Sequence, residues 1–233
     1  MNKTDPFKNI REEAFVCNRQ IPELGLAIYT FGNVSVFDPD KRVYAIKPSG
    51  VAYSKLTPEA MVVVDLDNRV VDGRLRPSSD TNTHTVLYKN FPEIRSVVHT
   101  HSTYAVAWAQ ARRPIPIYGT THADHLAGEV PCTAVMSDEM IRGNYETETG
   151  NQIVDTFRSL SYLEMEMVLV ACHGPFTWGR TAEKALYNSA VLEEIARMAL
   201  LTEQVNPQVQ ILKRSLIDKH YQRKHGKNAY YGQ

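Results

Sequence analysis

Apolar and polar positions along this chain repeat with two different periods, one typical of strands and one typical of helices. Apolar residues recur at helical spacing from Phe7 to Phe15, which predicts an opening helix through about residue 20. Shorter apolar runs, each bounded by turn residues such as Gly, Pro, Asp and Ser, predict strands. The predicted strands cover residues 26–31, 42–47, 61–66, 94–101 and 167–174.

Helical patterns fall between these strands and after them. One helix is predicted from the RPSSD stretch to Phe91, where Pro92 stops it, and a short one in TYAVAWAQA. Thr181 can cap the longest helix, AEKALYNSAVLEEIARMALLTEQ, and a final polar helix precedes the tail KHGKNAYYGQ. The positions of the longest helix that are predicted to face the core are Ala185, Leu186, Val191, Leu192, Ile195 and Met198.

The order of these elements predicts the fold class. Short strands with intervening helices favour an α/β fold in which helices pack on one sheet. The 233 residues are enough for one domain with a full core, and no internal repeat or low-complexity segment divides them. We therefore expect residues 1–233 to form a single domain.

Composition and charge narrow the classes of function. Lys+Arg and Asp+Glu balance at 26 each, so we expect neither a nucleic-acid partner nor a membrane partner. The N-terminus lacks the apolar core of a signal peptide, and the three cysteines are far apart in sequence, which favours a cytoplasmic protein. The glycine patterns of Rossmann and P-loop motifs are missing, so no nucleotide cofactor is expected.

Two histidines stand behind an apolar pair in VVHTHSTYAVAWAQ, residues 97–110. Because residues i and i+2 of a strand point to the same face, His99 and His101 are expected to project together. His173 ends another predicted strand, and Asp80 closes RPSSD before a predicted helix. Imidazole with a carboxylate is a normal ligand set for a first-row metal. The spacing alone leaves two interpretations open: a metal site, or histidines that are ordinary polar groups at strand ends.

Longer motifs give a family resemblance. In this order, PSSDTNTHTVLY, VVHTHSTYAVAWA, GTTHAD and HGPFTWG resemble the class II aldolase and epimerase family. The stretches GNVS, IKPSG, YETETGN and DKHYQRKHGKNAYYGQ resemble its pentulose-phosphate 4-epimerases, so that the resemblance runs from about residue 7 to Gln233. It implies a mostly antiparallel sheet flanked by helices in three layers.

The resemblance also implies a metal site. Its ligands are Asp80, His99, His101 and His173, and its metal is Zn²⁺, for which Mn²⁺ or Co²⁺ can substitute. A catalytic zinc usually keeps three protein ligands and one open position, so the carboxylate must yield to substrate or share an expanded shell. The related aldolases tend to carry Glu at this position, and the shorter Asp80 favours an epimerase.

For an epimerase, the resemblance implies inversion of L-ribulose 5-phosphate at C4, which gives D-xylulose 5-phosphate. Retro-aldol cleavage of the C3–C4 bond is followed by rotation of the glycolaldehyde phosphate and re-addition, while zinc stabilises the enediolate. The reaction needs an acid and a base on opposite faces of the aldehyde. The resemblance assigns these roles to Asp124 and to Tyr231 of a neighbouring subunit, with Tyr230 as the rival of Tyr231.

Turns rich in N–H and hydroxyl donors are candidates for binding the sugar phosphate. Ser78 and Ser79 precede a predicted helix, whose N-terminus favours an anion, but such residues are also common in ordinary turns. The resemblance implies a homotetramer with active sites at the subunit interfaces. It assigns Gly32, Asn33, Lys47, Ser49, Gly50, Ser78, Ser79, Thr120 and Glu146 to the site, together with His220 and Arg223 from an adjoining subunit.

Three other functions compete with the epimerase. A class II aldolase that cleaves L-fuculose or L-rhamnulose 1-phosphate would share the metal site, and only Asp80, Asp124 and the AYYGQ ending favour the epimerase over it. A non-catalytic scaffold of the adducin type need not keep a complete ligand set, whereas this chain does. A nucleic-acid module is disfavoured because the basic tail lacks interleaved aromatic residues suited to stacking.

Overall fold

The computed structural model describes residues 5–227 and 229–230, and its centre is a single sheet. The strands are β1 (Asn33–Asp38), β2 (Val43–Ile46), β3 (Val62–Asp65), β4 (Val70–Asp72), β5 (Ser96–His99), β6 (Met167–Val170) and β7 (Gly174–Gly179). Their order is β4-β3-β2-β1-β5-β7-β6, and every neighbouring pair is antiparallel. The predicted strands at 42–47, 61–66, 94–101 and 167–174 are confirmed, each trimmed by a few residues.

The inner strands are buried on both faces, which is why they read as continuous apolar runs. Along β3, Val62 and Val64 join one apolar cluster and Val63 joins another. Because successive side chains of a strand point to opposite faces, the two clusters lie on the two sides of the sheet.

Helices cover both of these clusters. The first turns of α7 pack with α1 in the cluster that contains Val63, while α2, α3, α6 and the later turns of α7 contribute to the other cluster. The predicted three-layer α/β architecture is therefore confirmed. The helices are α1 (Lys8–Glu23), α2 (Thr81–Asn90), α3 (Thr103–Ala111), α4 (Thr120–Ala123), α5 (Asp138–Arg142), α6 (Tyr145–Thr156), α7 (Ala182–Val205) and α8 (Arg214–His225).

One predicted strand is wrong. Residues 26–31 form turns, and the strand begins two residues later at Asn33, inside the GNVS stretch. Backbone conformation explains the difference, because Gly25 and Tyr29 adopt φ values of +70° and +53°, which no strand contains. Leu26 stays in the core at 2% exposure, but the other large apolar side chains of this loop, Ile28, Tyr29 and Phe31, are exposed, Tyr29 by 82%.

The longest helix agrees with its prediction except at one position. The Thr181 hydroxyl accepts a hydrogen bond from the Lys184 N–H, as expected of a cap. Met198 is 40% exposed and does not face the core, because it lies at the edge of the apolar stripe that Ile195 and Ala199 occupy. In the residues that the structure describes, no helix is long and apolar enough to cross a membrane.

Candidate active site

Three histidines lie close together at the end of strand β5 and in the turn between β6 and β7. His99 is the last residue of β5, His101 lies two residues beyond it, and His173 lies in the turn between β6 and β7. One ring nitrogen of each histidine lies within 4.8 Å of the corresponding nitrogens of the other two. The Nε2 atoms of His99 and His101 are 3.1 Å apart. The sequence spacing therefore predicted a real convergence of imidazoles.

A hydrogen bond orients the ring of His99. Its Nδ1 donates to the carbonyl oxygen of Pro175 at 2.9 Å, so that Nε2 faces the other two histidines. The ring stacks on Phe176 with its centroid 4.2 Å away, and the residue is only 1% exposed. Burial and the neighbouring charge of His99 lower the pKa of His173 to about 3, which keeps that imidazole neutral at neutral pH.

Asp80 lies beside the histidines but is not one of the three groups that converge. Its Oδ2 accepts a hydrogen bond of 2.7 Å from the Asn33 side chain. Burial alone raises the pKa of the Asp80 carboxyl, but the charges of His99 and neighbouring histidines, with the Asn33 hydrogen bond, bring it below its ordinary value. The Asp80 carboxyl is therefore ionised at neutral pH. Asp80 occupies the N-cap position of α2, but its side chain makes no capping hydrogen bond.

The donor set fits a first-row metal ion. Three imidazoles whose ring nitrogens converge match the three-ligand arrangement of catalytic zinc sites, and the Asp80 carboxylate lies on the same pocket. The hydrogen bond from His99 to the Pro175 carbonyl is the kind of outer contact that orients a metal-binding histidine. His99, His101 and His173 can hold the ion, and Asp80 can join them.

The histidines line a polar pocket of about 410 Å³, large enough for a sugar phosphate. Of the sixteen residues that line it, twelve were predicted from the sequence. The lining residues are Thr30, Phe31, Gly32, Asn33, Lys47, Pro48, Ser49, Gly50, Ser78, Ser79, Asp80, His99, His101, Tyr145, Glu146 and His173.

Lys47 supplies the cation of this pocket. The residue is only 2% exposed, and its ammonium donates to the carbonyl oxygen of Thr30 at 3.2 Å. Burial lowers its pKa to about 8, against the opposing effect of the Asp80 charge. An incoming anion would therefore meet a desolvated, mostly protonated amine at neutral pH.

Gly32 is required by the approach of two backbone segments. It has a φ of +78°, and a Cβ at this position would lie 2.6 Å from the His99 carbonyl oxygen. Any side chain would push the loop that contains Phe31 away from β5. This glycine therefore sets the distance between its own turn and the segment of His99 and Thr100.

A second group of predicted residues lies elsewhere on the chain. Arg223 donates to both carboxylate oxygens of Asp124, at 2.9 and 2.8 Å, and His220 Nδ1 lies 2.9 Å from its Oδ1. Thr120 begins α4, the short helix that ends beside Asp124. Burial raises the pKa of Asp124, but the hydrogen bonds from Arg223 and His220 hold it below its ordinary value. Within the described ranges, none of these four residues lines the histidine pocket.

The two candidate tyrosines for the acid or base role lie at the C-terminal end of the chain. Tyr231 lies outside the residues that the structure describes. Its rival, Tyr230, is 68% exposed, and its N–H donates to the Arg223 carbonyl at 2.9 Å. The chain therefore leaves α8 close to the Asp124 group rather than at the histidines of the same copy.

Four residues of the pocket were missed. Tyr145 stands in the quoted stretch YETETGN, beside the predicted Glu146, and its hydroxyl lies 3.4 Å from His173 Nδ1. The Phe31 ring lies 5.8 Å from that of His101. A signal was available for Tyr145, because it immediately precedes a predicted residue, whereas Thr30, Phe31 and Pro48 fall in loops with no chemical pattern.

A second cavity, of about 480 Å³, lies between α4 and α7. Its lining is mostly apolar and includes Ile195, Met198 and Val205, with Tyr118 and His122 as its titratable side chains among the described residues. This lining is poorly suited to a charged substrate. The polar pocket is therefore the better candidate active site.

An antiparallel seven-stranded sheet with a three-histidine pocket at its strand ends defines the class of protein. Residues 12–200 match the family described as Class II Aldolase and Adducin N-terminal domain, and the chain belongs to this family. The expectation from the sequence motifs is thereby confirmed.

Particular relatives are similar over almost the whole chain. L-ribulose-5-phosphate 4-epimerase UlaF of Salmonella paratyphi B (strain ATCC BAA-1250 / SPB7) is 47% identical over 227 residues, which are 97% of this chain and 100% of that protein. A solved L-fuculose 1-phosphate aldolase has a TM-score of 0.80 at 24% identity, covering 92% of this chain and 95% of its own. The L-fuculose 1-phosphate aldolase from Glaciozyma antarctica PI12 has a TM-score of 0.76 at 18% identity, covering 95% of this chain and 86% of its own. The two structures establish the fold.

Proposed function

We propose that this protein is a metal-dependent 4-epimerase that interconverts L-ribulose 5-phosphate and D-xylulose 5-phosphate. The observation that carries the proposal is the convergence of His99, His101 and His173 on a polar pocket that also contains Lys47. The full-length similarity to a 4-epimerase, at 47% identity, favours this reaction over the aldol cleavage of the structural relatives.

The histidines and Asp80 would hold Zn²⁺, or Mn²⁺ or Co²⁺ in its place, as a Lewis acid that polarises the ketose carbonyl. His99 contributes a fixed Nε2 because its other nitrogen is bonded to the Pro175 carbonyl. Asp80 is oriented by Asn33 and is too short to reach away from the ligand set as a glutamate could. This difference supports an epimerase over an aldolase.

The phosphate end of the substrate fits the turns on the other side of the pocket. Ser49 and Gly50, with Ser78 and Ser79, offer hydroxyl and N–H donors, and Lys47 offers a buried cation. These donors would anchor the phosphate of the glycolaldehyde phosphate fragment, while its aldehyde group rotates about the C4–C5 bond and presents its other face to the enediolate. Glu146 lies on the same pocket, where it can accept a hydrogen bond from a sugar hydroxyl.

Two proton carriers complete the reaction, and both would come from a neighbouring copy. Asp124 is ionised because Arg223 and His220 bind its carboxylate, so it enters as the proton acceptor for a C4 hydroxyl. Tyr231 would donate or accept on the opposite face. Since the Asp124 group and the pocket are separate within one chain, we propose a homotetramer in which each interface unites them, with Thr120, His220 and Arg223 near the substrate.

A coupled assay tests the proposal. Purified protein is given L-ribulose 5-phosphate, and D-xylulose 5-phosphate is followed with and without a chelator. We expect turnover that the chelator abolishes and that added Zn²⁺ restores. If the protein instead cleaved a deoxyketose 1-phosphate and left the pentulose phosphate unchanged, it would be an aldolase, and Asp80 would need another explanation.

A further inference from the structure

Glu193, in the middle of α7, binds the beginning of a different helix. Its Oε1 accepts the N–H of Tyr104 and its Oε2 accepts the N–H of Ala105, each at 2.9 Å. These are the first turns of α3, where N–H groups lack partners within the helix and the helix dipole favours a negative charge. Ser102 occupies the N-cap position of α3, yet its side chain makes no capping hydrogen bond. The Glu193 carboxylate therefore caps the N-terminus of α3 in place of the Ser102 side chain.

The beginning of α3 is also the end of the histidine segment. His101 precedes Thr103, the first residue of α3, by two positions, so the position of this helix determines where the backbone of His101 lies. The segment between them has little freedom, because a Cβ at Gly174 would lie 3.0 Å from the Thr100 carbonyl oxygen. A shift of the first turn of α3 would therefore move His101 relative to His173.

The other end of α3 holds the third histidine. The Cys172 N–H donates to the Ala109 carbonyl at 2.9 Å, and Cys172 adopts a φ of +64° immediately before His173. The Trp108 indole N–H donates to the Ala196 carbonyl at 3.0 Å, so this end of α3 is also tied to α7. Helix α3 thus connects the segment of His101 to the turn of His173, and α7 holds it at both ends.

From these contacts we infer that Glu193 is a positioning residue for the histidine site, which acts through α3 and sets the distance between His101 and His173. The inference rests on the proposed metal site. Glu193 is not among the described residues that line the pocket, and its two charge-assisted hydrogen bonds fix a helix that both proposed metal-binding segments share.

The test compares two neighbouring glutamates. Glu193→Gln keeps the size of the side chain but loses the charge and one acceptor, whereas Glu194→Gln makes the same change at a residue whose carboxylate pairs only with Arg197 among the described contacts. Metal-free wild type and both variants are titrated with Co²⁺ in the presence of a competing chelator. The d–d spectrum of the bound ion reports its coordination, and thermal melting of the metal-free proteins reports their stability.

We expect Glu193→Gln to weaken Co²⁺ binding by about 10-fold or more and to change the d–d spectrum, as the loss of an outer contact does at other metal sites. Glu194→Gln should bind like wild type. An affinity and spectrum equal to those of wild type in Glu193→Gln, beside tight binding by wild type, would overturn the inference, even if the melting temperature fell. Absence of Co²⁺ binding by wild type would overturn the metal site itself. If Glu193→Gln does not fold, Glu193→Asp, which keeps the charge on a shorter side chain, is held to the same criteria.

Discussion

Single residues explain why part of this site could be predicted. His99 and His101 are separated by one residue, and that spacing on a predicted strand led us to expect a shared face. His101 lies just beyond the end of β5, yet the Nε2 atoms of the two rings are 3.1 Å apart. Asp80 was found through a motif. The contacts that orient these side chains left no trace in the sequence: His99 bonds a backbone carbonyl, and Glu193 binds N–H groups almost ninety residues away. Backbone N–H and C=O groups are present in nearly every residue, so a contact to them requires no particular residue type at that position. Such contacts are therefore visible only in the structure.

A buried histidine far from the proposed metal gives a testable pH dependence. His122 is buried, its Nε2 is one of the buried atoms without a partner among the described residues, and burial lowers its pKa to about 4. Between its unfolded pKa of 6.5 and about 4, the unfolded chain binds more protons than the folded one. The free energy of unfolding should therefore decrease as the pH is lowered from 6.5 to about 4, by up to about 1.4 kcal/mol per pH unit for this group.

Urea unfolding at a series of pH values, in the presence of a chelator, checks this prediction. His122→Gln removes the titration, so the free energy of unfolding should depend less steeply on pH between 6.5 and about 4. The histidines of the pocket remain in both proteins and supply a common background. Equal slopes for wild type and variant would show that His122 does not contribute.

At the scale of elements, apolar periodicity predicted most of the buried strands correctly. The predictions failed where backbone conformation, rather than the apolar pattern, determines the structure. The strands rich in valine were found because burial on both faces requires apolar runs. Residues 26–31 are equally apolar but form a loop, because Gly25 and Tyr29 adopt left-handed conformations. Strand β7 was missed because its sequence, GPFTWG, begins and ends with glycine and contains a proline. Its partners β5 and β6 stabilise it in spite of this composition.

The packing of α6 on α2 gives a second prediction. A Cβ at Gly150 of α6 would lie 2.6 Å from the Cβ of Val86 on α2. Gly150→Ala should therefore destabilise the protein by about 1–3 kcal/mol through overpacking, although alanine is the better helix former. Val86→Ala in the same chain should recover part of this loss, because it removes the two Cγ atoms, at 2.9 and 3.1 Å, but keeps the Cβ.

A double-mutant cycle measured by thermal or urea unfolding checks the pair. Gly128→Ala is the matched control, because its new methyl group would meet only the end of the Met165 side chain, at 3.6 Å. Additive effects of Gly150→Ala and Val86→Ala would contradict the prediction. A change in substrate KM in Gly150→Ala is also expected, since α6 carries Tyr145 and Glu146 into the pocket.

For the whole molecule, the predicted site residues divide into two groups on one chain. The residues proposed to bind the metal and the phosphate line the pocket, while Asp124, His220 and Arg223 form a separate ion-paired group. The motifs predicted which residues belong to the site. They could not show whether one copy supplies all of these residues, because a motif carries no information about the arrangement of subunits. Assembly has to be tested by experiment.

Complementation between inactive variants provides that test. His99→Asn lacks a proposed metal ligand and Asp124→Asn lacks the proposed proton acceptor, so we expect each variant alone to be inactive. After subunit exchange, sites that combine the intact pocket of one copy with the intact Asp124 of another should restore up to about a quarter of the wild-type rate, by random pairing. Native mass spectrometry confirms that mixed oligomers form. Mixed oligomers without recovered activity would show that both groups act within one chain.

The register of the central strands has a consequence for how the protein matures during synthesis. His99 pairs with Asn33 on β1 and with Phe176 on β7, so the strand that ends in a proposed metal ligand is held by segments from both halves of the chain. Because β7 and His173 come late in the sequence, a ribosome-bound chain that ends before Gly179 has an unfinished sheet and an incomplete set of proposed ligands. If the site binds a metal as proposed, loading must follow translation of about three quarters of the protein. A truncated chain released before that point would carry His99 on a strand that lacks its β7 partner, and we expect it to be degraded as an incompletely folded protein.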